Sequence, residues 1–143
     1  MKSRAVIFGL DYSTSENVLY GNALYGCVND ATNIATCLHK LGLYDQIDLY
    51  TETVSTTYKG IHDVLASAAA DTTLSRVFIF FAGHGTQRMD GNNDESDGQD
   101  ECIVPSDYWD EWNTPRDDRL IKDDALREVL SRFGKDTKVT ALF

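Results

Sequence analysis

The sequence predicts an α/β fold with a doubly wound, mostly parallel sheet and helices on both faces. Three observations carry this expectation. Short apolar runs alternate along the chain with segments whose apolar residues recur every three or four positions, the βαβ rhythm of a parallel sheet. Residues 77–81 form an unbroken apolar run, VFIFF, of the kind a buried strand needs. At 143 residues the chain suits one compact domain, 1–143, with a single core.

The elements follow in order. RAVIFGLDY, residues 4–12, reads as a buried strand, and a polar loop comes after it. From about residue 26 to 41, Val28, Ala31, Ala35, Leu38 and Leu41 recur at helical spacing, with Gly42 placed as the residue that ends the helix. QIDLYTE, residues 46–52, is a short strand. Residues 56–70 form a second helix, with Ile61, Val64, Leu65, Ala68 and Ala69 on one side and Ser55 or Thr56 as its cap. RVFIFFA, residues 76–82, is the third strand. An acidic loop insertion, 88–122, interrupts the rhythm and contains one short extended piece, ECIVP. A third helix opens at Asp123, with Leu126, Val129, Leu130 and Phe133 as its stripe and Gly134 after it. Asp123 and Asp124 suit its capping and its dipole. KVTALF, residues 138–143, is a fourth strand.

Charge and cysteines narrow the class. The net charge is −10, and residues 90–124 alone hold 13 Asp and Glu against 3 Arg and Lys, so the rest of the chain is neutral. Such a field favours a cation or a basic peptide and disfavours nucleic acid. No apolar run approaches the ~18 residues that span a membrane, and Asp11 breaks the first apolar stretch too early for a secretory signal. Three irregularly spaced cysteines fit a reducing compartment, so a cytoplasmic protein is expected.

His84 stands between Gly83 and Gly85 just past the third strand, where open sheets of this class bind ligands. The glycines leave room for another backbone to approach, and the loop that follows is long and polar. FFAGHGTQ, DGQDECIVPSDY, IKDDAL and YGCVNDATNIATCL together resemble the metacaspases, caspase-like cysteine peptidases, in the right order along the whole chain. The resemblance is to the large-subunit region of that family. It implies that His84 is the base of a His–Cys dyad and that the Gly85 N–H helps to bind the oxyanion. The family's nucleophile motif, Asp-x-Cys-His-Ser-Gly, would follow the KVTALF strand and is not present, so the rest of the peptidase domain is the expected partner and the chain alone is expected to be inactive.

The same resemblance places Cys27, Asp30 and Ala82 in the pocket for a basic residue before the scissile bond, with Ala82 standing where many members have Ser. A buried carboxylate there favours Arg or Lys. It also maps a Ca²⁺ site onto Asp100, Asp123 and Asp124, hard oxygen ligands that suit the ion. An EF-hand on Asp90, Asn92, Asp94 and Glu101 is rejected, because Glu95 stands where the loop needs glycine. Among the cysteines, Cys37 reads as buried packing, Cys102 as opposed by the acidic segment, and Cys27 as favoured by a helix N-terminus yet assigned to the pocket. Trp109 and Trp112 read as packing the long loop onto the sheet, and no zinc spacing is present. The alternative is a non-catalytic short form or subunit fragment that binds peptides or partners. A phosphoacceptor receiver domain is set aside, since it would need an aspartate where His84 stands.

Overall fold

The computed structural model describes residues 2–89, 96 and 98–143. In chain order the elements are β1 Lys2–Gly9, α1 Ser15–Leu19, α2 Cys27–Lys40, β2 Gln46–Thr51, α3 Tyr58–Ala70, β3 Leu74–Ala82, β4 Gly85–Met89, β5 Gln99–Ile103, β6 Ile121–Lys122, α4 Asp123–Leu130 and β7 Lys138–Leu142. A parallel sheet has the order β2-β1-β3-β7, and β4-β5-β6 form a smaller antiparallel sheet beside it. The expected α/β class and parallel sheet are observed.

The alternation of strand side chains explains why both faces are covered. On β1, Val6 and Phe8 join Ile61, Leu65 and Ala68 of α3 and Leu126 and Val129 of α4 in the larger core. Ala5 and Ile7 point the other way and meet Ala31, Ile34, Ala35 and Leu38 of α2. Each fully buried Ile or Leu contributes ~1.5–3 kcal/mol by leaving water. The α2 face lies unusually close: a Cβ at Gly9 would stand 2.5 Å from that of Ala31, so only glycine fits at the crossing. Gly42 ends α2 as expected, with φ +61 in the left-handed region.

Several expectations need correction. β1 stops at Gly9 rather than at residue 12, because Tyr12 turns the chain out of the sheet with φ +54. The polar segment after it holds a short helix, α1, whose Thr14 side chain accepts the Asn17 N–H. Thr57, rather than Ser55 or Thr56, caps α3 by accepting the Gly60 N–H. Thr53 and Thr56 close a capping box on the preceding 3₁₀ turn, which displaced the cap by one residue. Leu41 caps α2 and is 63% exposed, so it does not join the stripe. Asp123 is the first residue inside α4, and the cap, Lys122, makes no side-chain capping bond to the helix. The segment 88–122 is more than a loop, since it carries the end of β4, all of β5 and all of β6. The rejected EF-hand residues Asp90, Asn92 and Asp94, with Glu95, lie outside the described residues.

Candidate active site

Beyond the carboxyl ends of β1 and β3, the ring of His84 sits against Tyr12 at 4.8 Å and Trp109 at 5.7 Å, centroid to centroid. Its Nε2 is 2.6 Å from the carbonyl oxygen of Asn22. A carbonyl only accepts, so Nε2 carries a proton, and in the neutral ring Nδ1 keeps the lone pair. Asn22 is held in turn by its own side chain, which donates to Asn113 Oδ1 at 2.7 Å, and by its N–H to the Asn17 carbonyl at 2.8 Å. Asn113 adopts φ +56, a conformation asparagine tolerates better than most residues.

The histidine backbone is tied as firmly as its ring. The Val104 N–H donates to the His84 carbonyl at 3.0 Å. The His84 N–H donates to the Tyr12 hydroxyl at 2.9 Å, and that hydroxyl donates to the Val104 carbonyl at 2.6 Å. Gly85 pairs with Ile103 in the β4–β5 ladder, so His84 and Val104 are the hydrogen-bonded pair before it. Antiparallel pairs alternate, and the Gly85 N–H therefore points away from β5. Gly83 is required by side chains rather than by the backbone approach expected of it. A Cβ there would stand 2.7 Å from the Tyr12 oxygen and 2.8 Å from Phe81 Cζ. A Cβ at Gly85 would meet only ordinary contact, the Cys102 carbonyl at 3.6 Å.

A cavity of about 880 Å³ opens beside His84 and Gly85. Cys27, Ala82, Glu101, Cys102, Asp123 and Phe143 are among its lining residues. Cys27 and Ala82 thus line the same cavity, but Asp30 does not join them. It is exposed on the first turn of α2, so the expected buried carboxylate is absent at that position. Glu101 and Asp123 supply the cavity's carboxylates instead.

Neither thiol in the cavity is activated. Burial pushes the Cys27 thiol up, and Asp11 and Asp30 add to the effect. Asp11 accepts the N–H groups of Cys27 and Val28 at 2.8 and 3.2 Å, so the carboxylate that caps α2 cancels the benefit expected from the helix N-terminus. Burial also raises the Cys102 thiol, with Asp100 and Asp123 acting against Lys122 and Arg88. Cys37 is exposed on the outer side of α2, not packed as its neighbours suggested.

The three aspartates mapped as ligands divide. Asp100 is 2% exposed, with Oδ2 2.5 Å from Lys122 Nζ and Oδ1 without a partner among the described residues. Asp123 Oδ1 is likewise buried and unpartnered. Both carboxylates raise the Cys102 thiol, Asp100 from the same strand, β5, and Asp123 from the start of α4. Asp124 turns to Arg127 at 3.1 Å, and no cluster of three metal-binding side chains forms among the described residues. Two orphaned carboxylate oxygens suit a hard cation; Asp124 does not complete the set.

Sequence reading missed Tyr12, Asn22 and Asn113. Asn22 acts through its carbonyl, which no side-chain pattern reveals, and Tyr12 reaches His84 only because the chain turns at a positive φ. Trp109 packs against Tyr12 and the core as expected, whereas Trp112 is 80% exposed.

The family model for the metacaspase, peptidase C14 domain, matches residues 3–143. The chain belongs to the metacaspase family. Among curated relatives, Metacaspase-1B of Aspergillus oryzae is 29% identical over 99% of this chain and 33% of its own length. Metacaspase-8 of Arabidopsis thaliana is 31% identical over 99% of this chain and 36% of its own. The chain thus spans about a third of the length of the curated metacaspases it matches. A solved structure, protein GSU0716 from Geobacter sulfurreducens, has the same fold, with a TM-score of 0.68 at 24% identity over 99% of this chain and 49% of that one. No helix among the described residues is long and apolar enough to cross a membrane.

Proposed function

We propose that this chain is the histidine-bearing part of a cysteine endopeptidase that cleaves after Arg or Lys, with the nucleophilic cysteine supplied from outside residues 1–143. The observation that carries the reading is His84 itself. Its Nε2 is committed to Asn22, its Nδ1 is left to accept a proton, and both thiols beside it are raised. A base without a poised nucleophile calls for one from elsewhere, and metacaspase relatives are about three times longer than this chain.

In this reading the thiol gives its proton to His84 and the thiolate attacks the peptide carbonyl carbon. The Gly85 N–H, turned away from β5, donates to the oxyanion, an interaction whose loss typically costs ~3–4 kcal/mol of transition-state stabilisation. His84 then protonates the leaving amine, and water hydrolyses the thioester. Glu101 gives the cavity a negative charge for a basic side chain, with Cys27 and Ala82 also lining it. Asp30, exposed on the first turn of α2, is not among the residues that line the cavity. Asp100 and Asp123 would hold Ca²⁺ through their unpartnered oxygens. The ion would supply charge compensation where β5 meets α4.

The test is cleavage by the reading frame continued past Phe143, with Arg-, Lys- and Asp-peptides, in Ca²⁺ and in chelator. Cleavage after Arg and Lys that needs Ca²⁺ and disappears in His84→Ala is expected. Activity that survives His84→Ala removes the role given to it. The raised thiols also favour a second reading, a peptide-binding module without turnover, which predicts binding of basic peptides by the 143-residue chain and no cleavage by either form.

A further inference from the structure

The ladder between β4 and β5 is interrupted at the histidine. His84 and Val104 continue the register of Gly85 and Ile103, and one of their two backbone bonds forms directly, from the Val104 N–H to the His84 carbonyl at 3.0 Å. The other does not. In a regular pair the His84 N–H would meet the Val104 carbonyl at ~2.9 Å. Here each is bonded to the Tyr12 phenol, at 2.9 and 2.6 Å. The phenol is 2% exposed, its chain takes φ +54 to bring it in, and Gly83 leaves the space its oxygen fills. No solvent competes for the site, and burial pushes the phenol above its usual range, so the hydroxyl stays protonated and can donate to Val104.

The geometry points to Tyr12 as a positioning residue for His84: a wedge that holds the ladder open on one side and thereby sets the direction of the imidazole and of the Gly85 N–H. The ring completes the device, since it packs on His84 and meets Trp109 edge to face. Without the hydroxyl, the two facing backbone groups either close into a direct bond or stay buried and unpaired. Closure moves His84 relative to the cavity, and unpaired groups leave its position unfixed. The inference rests on the proposed role of His84 as base.

Tyr12→Phe keeps the ring and removes only the oxygen. In the 143-residue chain, the His84 amide resonance should shift, its hydrogen-exchange rate should change, and the imidazole ¹⁵N signals should move, while the far-UV spectrum stays unchanged. Gly83→Ala, which crowds the same oxygen, should shift the same signals. In the reading frame continued past Phe143, kcat should fall ~10–100-fold with KM little changed, the cost of a misplacement of about 1 Å. Unaltered His84 signals and kcat in Tyr12→Phe overturn the inference while leaving the base assignment intact, since that stands or falls with His84→Ala. Should Tyr12→Phe not fold, the wild-type chain still decides: a His84 amide that exchanges as fast as an unprotected loop amide excludes the wedge.

Discussion

The Asn113–Asn22 bond is the remote end of the histidine's support, and cutting it should be felt at the ring. Asn113→Ala removes an acceptor 2.7 Å from a half-buried amide and leaves that amide only the longer bond to Asn17 Oδ1, at 3.4 Å. A bond of this kind contributes ~0.5–1.5 kcal/mol. It also forces alanine to adopt φ +56, which adds ~1–2 kcal/mol for a residue with a Cβ and no local polar group. The loss comes to about 2 kcal/mol, roughly a thirtyfold shift of the folding equilibrium, readable as a lower urea midpoint at unchanged slope. Asn113→Asp keeps both the acceptor and the tolerance for positive φ, and should stay within ~0.5 kcal/mol of wild type. The functional readout is the ¹⁵N pattern of the His84 ring. With Asn22 unanchored, its carbonyl no longer fixes the proton on Nε2, and a mixture of tautomers should replace the single form. Two results would refute the reasoning. If Asn113→Ala leaves the tautomer untouched, Asn113 does not hold the Asn22 carbonyl; if Asp is as damaging as Ala, the hydrogen bond is not the cause.

Two further outcomes follow from the electrostatics. Iodoacetamide near neutral pH should label exposed Cys37 first and buried Cys102 last, with Cys27 behind Cys37 because burial, Asp11 and Asp30 raise its thiol. Peptide mass mapping against time reads the order, and Cys27 reacting first would place an activated thiol inside the chain. Acid should release the segment that carries Trp109 onto His84. Arg88 donates to Asp117 Oδ1 and to the Tyr108 hydroxyl at 2.7 Å, and these partners hold the Asp117 carboxyl below its usual range. A depressed folded pKa gives stability that is complete above the unfolded carboxyl value, ~3.9, and is lost as pH falls through the folded one. The near-UV signal of the Tyr108–Trp109 pair should therefore hold down to about pH 4 and fade below it, and Asp117→Asn should remove that acid transition.

What could be read from the sequence divides along the distance between cause and effect. The parallel sheet was legible because its cause is local. An unbroken VFIFF run, a helical stripe at Ala31, Ala35 and Leu38, and a glycine at φ +61 each act within a few residues of where they stand. His84 was legible for a similar reason, since strand, glycine and histidine adjoin. The antiparallel sheet was not, because β4 is polar and alternates only weakly, while the buried Asp100 of β5 lies in a run whose composition looks solvated. Asp30 shows the opposite error. A carboxylate in the right motif was expected to be buried, yet its place in the first turn of α2 leaves it exposed, and Glu101 and Asp123 take up the cavity's charge from other elements. The support of the histidine lay furthest from view. Asn22 contributes a carbonyl, Tyr12 a hydroxyl carried in by an unusual φ, and Asn113 an acceptor from a segment 91 residues later in the chain. Each depends on backbone geometry that exists only once the sheet has formed. The residues that do chemistry can be guessed from their type and neighbours, whereas those that aim them are specified by the fold.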